Sequence, residues 1–138
     1  MPRVLGVDWG TRRVGLAVSD PTGTLASPHA ILERGDDPEA DRRAVLAAAH
    51  AVDATRIVVG LPRSLSGREG PSARAARAEA AALEALAGPD LPVELHDERF
   101  STVTARAARR GQRRSARRRP VDDAAAAVML QSYLESRR

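Results

Sequence analysis

Two short apolar runs of β-forming residues flank the segment Gly10-Thr11-Arg12-Arg13 near the start of the chain. This composition predicts a β-hairpin with a glycine-containing turn. Asp8 lies near the end of the first run, where desolvation of a carboxylate is costly unless a cation or hydrogen-bond donors meet it. Asp8 is therefore either a strand-end residue that binds turn amides or a ligand carboxylate carried on a rigid central strand.

Strand-like and helix-like segments alternate through the rest of the chain. The predicted elements after the hairpin are a strand at 25–32, a helix at 39–52, a strand at 56–60, a loop at 61–71, a helix at 72–87, a strand at 92–97, a helix at 102–110, a basic loop at 112–120 and a helix at 122–135. Strands that alternate with helices pair in parallel through right-handed crossovers. The sequence therefore predicts an α/β fold with a mixed five-stranded sheet, in which an antiparallel hairpin precedes parallel strands, flanked by helices. The first strand is expected at the centre.

Composition restricts the class of protein. A length of 138 residues suits one domain, residues 1–138, with a substantial core. The absence of Cys excludes disulfides and thiolate metal sites. No apolar run approaches the roughly 20 residues that span a bilayer, and no signal-peptide pattern is seen. We therefore expect a soluble cytoplasmic protein without a membrane partner.

Positive charge is concentrated in one segment. All 22 basic residues are Arg, and nine of them lie within Arg99–Arg119, which contains no acidic residue. The remainder of the chain is acidic, although the net charge is +4. This asymmetry predicts a polyanion as partner, with a solvated basic face as the alternative.

Acidic residues follow several of the predicted strands and open the last helix. Ligands of open α/β sheets lie beyond the carboxyl ends of the parallel strands, where Asp8, Asp97 and Glu98 are expected. Asp122 and Asp123 join them if the last helix packs at this edge, but they also suit a helix N-cap and first turn. Converging carboxylates raise one another's pKa unless divalent cations neutralise them. Oxygen ligands of this kind favour Mg²⁺ or Mn²⁺, and a pair of such ions about 4 Å apart supports phosphodiester hydrolysis.

Four motifs in the same order resemble the bacterial YqgF/RuvX family, which has an RNase H-like fold. They are GVDWGTRRVGLAVSD at 6–20, VVGLP at 58–62, HDERFST at 96–102 and VDDAAAAVMLQSYL at 121–134. The resemblance implies Mg²⁺ or Mn²⁺ ligands at Asp8, Glu98 and Asp122, since the family's Asp lies eight residues before the Leu that corresponds to Leu130. Helical spacing alone does not choose between the neighbouring acids, so Asp97 and Asp123 remain alternatives.

The resemblance also implies a two-metal nuclease. Processing of the 5′ end of pre-16S rRNA is placed first among its functions, and cleavage of Holliday junctions or other structured DNA second. Symmetric junction cleavage requires two sites and hence a homodimer, for which the sequence shows no clear interface. A nucleic-acid-binding protein without catalysis is the alternative of another class. An actin-like ATPase is less compatible with a chain of this length, because such enzymes close two domains over a nucleotide.

Arginines just before the last helix are expected to bind the phosphate backbone with little sequence preference, because few aromatic residues accompany them. We predict that changing Arg113, Arg114, Arg117 and Arg118 to Gln weakens binding similarly for unrelated nucleic acid sequences. The plot of log affinity against log salt should flatten by roughly 0.7 to 0.9 for each phosphate that the variant no longer binds. An unchanged affinity and slope would identify a merely solvated segment. The residues predicted to bind phosphate are Arg109, Arg110, Arg113, Arg114, Arg117, Arg118 and Arg119.

Overall fold

The computed structural model describes residues 3–62, 70–97 and 120–137, excluding the side chains of residues 120–123. Its elements are β1 (Arg3–Trp9), β2 (Arg13–Ser19), β3 (Ala26–Glu33), α1 (Pro38–Ala51), β4 (Ala54–Leu61), α2 (Pro71–Ala87), β5 (Val93–Asp97) and α3 (Pro120–Ser136). Each predicted element within these residues is present, with small shifts in its bounds. The predicted helix at 102–110 and the basic loop up to residue 119 lie outside the described residues.

The five strands form one mixed sheet in the order β3-β2-β1-β4-β5. β1 pairs with β2 in antiparallel orientation, so that Asp8 lies opposite Gly15. β1 pairs with β4 in parallel, with Val7 beside Val59, and β4 pairs in parallel with β5. The mixed five-stranded sheet and the central position of the first strand are therefore confirmed.

Alternation along the strands divides the apolar residues between two cores. The large core lies between the sheet and helices α1 and α2, and it receives Leu5 and Val7 from β1. The small core lies between the sheet and α3. Its buried members are Ala17, Val58, Ala126, Met129, Leu130, Tyr133 and Leu134. Because neighbouring residues of a strand point to opposite faces, Gly6 and Asp8 belong to the face that α3 covers.

Proline begins all three of the described helices, at the position where its missing N–H is not needed. The side chain of Asp37 caps α1 by accepting a hydrogen bond from the Glu39 amide at 3.0 Å. α3 begins at Pro120, two residues earlier than predicted, so Asp122 and Asp123 are its third and fourth residues. Neither acid is therefore the N-cap, whereas their expected place in the first turn is confirmed. Among the described helices, none has the length and apolar character needed to cross a membrane.

α3 lies very close to the backbone of β1. A Cβ placed on Gly6 would lie 2.9 Å from the Leu130 Cβ, closer than carbon atoms normally approach. One turn later in α3, the Tyr133 hydroxyl accepts a hydrogen bond from Arg56, which pairs with Val4 near the start of β1. α3 therefore runs opposite to β1, and its first turn is directed toward the carboxyl end of the strand.

We predict that Gly6→Ala lowers the free energy of unfolding by about 1–3 kcal/mol, because the added methyl group overpacks the contact with Leu130. Gly35→Ala is the matched control, since a Cβ there meets nothing within 4 Å. Chemical denaturation of both variants measures the difference. Equal stability of the two proteins would contradict the close approach of α3 to β1.

Candidate active site

Asp8 lies next to last in β1, at the carboxyl edge of the sheet. It is half-buried, and the alternation that directs Leu5 and Val7 into the large core places Asp8 on the α3 face. β1 is held by strands on both sides. The carboxylate is thus carried on a rigid strand and is only partly withdrawn from water.

The two predicted acids at the end of β5 differ in their position. Val93 and Leu95 pack against the large core, whereas the side chain of His96 approaches α3. Asp97 pairs in register with Leu61, a large-core residue, and so belongs to the face opposite Asp8. Glu98 lies outside the described residues.

The first turn of α3 contains the other predicted acids, Asp122 and Asp123. The contact between Gly6 and Leu130 is the reference point for both elements. Asp8 lies two residues beyond Gly6, which is about 7 Å along a strand. Position 122 lies eight residues before Leu130, which is about 12 Å along a helix. Since α3 runs opposite to β1, both displacements point toward the same edge. Position 122 shares its helical stripe with Ala126, Met129 and Tyr133, and position 123 shares its own with Leu130 and Leu134. All five of these residues are buried.

The predicted metal ligands are only partly represented among the described side chains. Within residues 3–62, 70–97 and 124–137, no three His, Asp or Glu side chains are grouped so as to hold a metal ion. Of the three ligands implied by the family resemblance, only Asp8 has a described side chain. The assignment of Asp8, Glu98 and Asp122 thus stays a prediction. The seven arginines proposed to bind nucleic acid also lie outside the described residues.

Buried polar groups connect α3 to the end of the sheet that contains β5. The Tyr133 hydroxyl donates to Glu94 Oε2 at 2.6 Å and accepts from Arg56 Nη1 at 2.9 Å, while His96 Nε2 lies 3.0 Å from the Ser132 hydroxyl. Burial raises the pKa of Tyr133. Burial also lowers the pKa of His96, and the nearby Asp97 carboxylate partly opposes that lowering. His96 is thus a buried residue that is hydrogen-bonded to α3.

The turn between β1 and β2 is held by a residue that the sequence analysis did not identify. Arg34 Nη1 donates to the carbonyl oxygen of Gly10 at 2.9 Å, and the Arg34 amide donates to the carbonyl of Arg12 at 2.9 Å. Arg34 Nε in turn donates to the buried carboxylate of Asp41 on α1 at 3.3 Å, and the guanidinium lies 5.3 Å from the centre of the Trp9 ring. The spacing of residues in the sequence does not reveal these hydrogen bonds, because they link the β1–β2 turn, the residue after β3 and helix α1.

Gly10 is constrained by its contacts and not by an unusual backbone conformation. Only Gly23 and Gly88 have positive φ among the described glycines. The constraint at Gly10 is instead steric. Its amide donates to the carbonyl oxygen of Arg13 at 2.9 Å, and a Cβ on Gly10 would lie 2.6 Å from that oxygen.

Comparison with known proteins identifies relatives along almost the entire chain. Residues 2–136 match the family described as "RuvX: Holliday junction resolvase". A protein of Nocardioides sp. strain JS614 named "Putative pre-16S rRNA nuclease" is 47% identical, covering 97% of this chain and 88% of its own. Proteins of the same name from Thermobifida fusca and Anaeromyxobacter sp. strain K are 45% and 46% identical. They cover 97% and 98% of this chain and 87% and 98% of their own.

Solved structures show the same fold at low sequence identity. Thermus thermophilus RuvC in complex with a Holliday junction substrate gives a TM-score of 0.65 at 14% identity, covering 99% of this chain and 96% of that chain. Another T. thermophilus RuvC structure gives 0.62 at 16% identity, covering 98% and 95% of the two chains. The chain therefore has the same fold as RuvC, and the predicted RNase H-like α/β fold is confirmed.

We predict that Gly10→Val destabilises the protein by about 1–3 kcal/mol, because its side chain collides with the backbone of the turn. Gly35→Val serves as the control, because Gly35 is exposed and its missing Cβ faces open space. Thermal and denaturant unfolding report the difference. A Gly10→Val protein as stable as the control would show that the turn relaxes freely.

Proposed function

Because the chain belongs to the RuvX family of Holliday junction resolvases, we propose that residues 1–138 form a single nuclease domain that hydrolyses phosphodiester bonds in the cytoplasm. Its proposed substrate is the 5′ end of pre-16S rRNA, after the name shared by relatives 45–47% identical to it. The observation that carries the proposal is the position of Asp8. A half-buried carboxylate at the carboxyl edge of the central strand faces the side of the sheet that α3 covers.

Asp8, Glu98 and Asp122 are the proposed metal ligands. The alternation along β5 supports Glu98 over Asp97, because it assigns Asp97 to the opposite face from Asp8. The position of Asp97 thus agrees with the ligand set that the resemblance implies. Burial along α3 does not choose between Asp122 and Asp123, because each position shares a helical stripe with buried residues. Asp122 is proposed because the family resemblance implies a ligand there.

The donor set suits Mg²⁺ or Mn²⁺. Carboxylate oxygens are hard ligands, and three of them at one site repel one another unless cations are bound. A pair of such ions, when bound, lowers the pKa of the attacking water and stabilises the leaving oxygen. In this proposal the chain supplies the carboxylate of Asp8 on β1, that of Glu98 after β5 and that of Asp122 in α3. Its arginines attract the nucleic acid backbone.

Cleavage of Holliday junctions or other structured DNA is the second candidate function, and the description of the matching family favours it. The same carboxylates serve RNA and DNA, so the active-site residues do not distinguish the substrates. A symmetric cut in a four-way junction requires a homodimer with two sites. Binding of nucleic acid without cleavage is the outcome that would reject both candidates.

We predict that the purified chain with Mg²⁺ or Mn²⁺ cleaves precursor rRNA ends in preference to linear duplex DNA and a four-way junction, and that a chelator abolishes cleavage. Asp8→Asn, Glu98→Gln and Asp122→Asn should each lower kcat by on the order of 10³-fold or more, with double variants little worse than single ones. Gel analysis of the end-labelled substrates, assayed side by side, measures both effects.

Asp97→Asn and Asp123→Asn are the matched controls, since each removes the same charge one residue from a proposed ligand. Both should retain most of the activity, and unfolding curves should show that all variants are folded. Wild-type activity in Asp8→Asn would reject the metal site. Loss of activity in Asp123→Asn but not in Asp122→Asn would shift the ligand by one position on α3.

A further inference from the structure

We propose that Arg12, at the tip of the β1–β2 turn, binds a backbone phosphate of the nucleic acid, separately from the arginines of segment 99–119. The inference rests on the proposed nuclease function. It assigns a substrate-binding role to a part of the chain that the charge distribution alone does not single out.

The first argument is position. The turn begins two residues after Asp8 and extends from the same carboxyl edge of the sheet. Thr11 and Arg12 are its exposed residues. A phosphodiester chain that reaches the carboxylate of Asp8 thus passes beside this turn. Since carboxylates repel phosphates, a neighbouring cation favours that approach.

The second argument concerns which arginines around the turn are already paired. Arg13 Nε lies 3.3 Å from Glu33 Oε1, and Arg34 Nε lies 3.3 Å from Asp41 Oδ2. Arg12 is exposed and forms no ion pair within the described parts of the chain. Its guanidinium can therefore take a phosphate without giving up a carboxylate partner among the described residues.

The third argument is rigidity. The Gly10 amide binds the Arg13 carbonyl, and the carbonyls of Gly10 and Arg12 each accept a hydrogen bond from Arg34. Arg34 is itself anchored to Asp41, which is only 9% exposed. The backbone that carries Arg12 is thus fixed before substrate arrives, so binding orders only one side chain.

The test compares Arg12→Gln with Arg13→Gln, which removes the same charge one residue away. Affinity for a fluorescent single-stranded RNA and a labelled four-way DNA junction is measured by anisotropy between about 50 and 300 mM salt, with EDTA present to prevent cleavage. We expect Arg12→Gln to weaken binding roughly 3- to 10-fold and to flatten the salt slope by about 0.7 to 0.9, with Arg12→Lys restoring the slope. Arg13→Gln should leave the slope unchanged.

Equal effects of Arg12→Gln and Arg13→Gln, or an unchanged slope in Arg12→Gln, would overturn the assignment of Arg12. The nuclease proposal is judged separately, by metal-dependent cleavage with the wild-type chain. A protein that binds nucleic acid through Arg12 but cuts nothing would reject the nuclease and keep the role of Arg12. A protein that cleaves nucleic acid but binds it equally well without Arg12 would keep the nuclease proposal and reject the role of Arg12.

Discussion

The contact between Leu130 and the bare backbone of Gly6 sets the distance between α3 and β1. A methyl group at position 6 would occupy the space of the Leu130 side chain, so the helix can lie this close only because the strand has glycine there. Close-packed interiors transmit such displacements. The separation between Asp8 and the start of α3 therefore depends on a contact between a glycine and an apolar side chain.

Two carboxylates near the β1–β2 turn differ in how deeply they are buried. Asp41 is buried and satisfied by Arg34 and by the Gly35 amide, while Asp8 is only half-buried at the strand end. The buried carboxylate is thus matched by donors within the fold, whereas Asp8 keeps part of its surface toward solvent.

Much of the fold follows from local patterns. The hairpin, the parallel strands and the helices were predictable because apolar periodicity and Pro or Gly punctuation are short-range signals. The start of β4 at Ala54 was missed because pairing with Arg3 extends the strand through polar residues. The steric role of Gly10 and the link from Arg34 to Asp41 were not predictable, since both depend on atoms that the fold brings together. Alternation along β5 could have assigned Asp97 to the face opposite Asp8, whereas residues 98–119 lie outside the described structure.

Among the described residues, the core beneath α3 has fewer members than the core beneath α1 and α2. β1, β2 and β4 are secured on one face by α1 and α2, but the other face is covered in the described residues by α3 alone. Detachment of α3 exposes less apolar surface than global unfolding and therefore has a lower free energy. Any ligand that bridges Asp8 and the first turn of α3 adds its binding energy to the docked state only. Occupancy of the site and attachment of the last helix are then parts of one linked equilibrium.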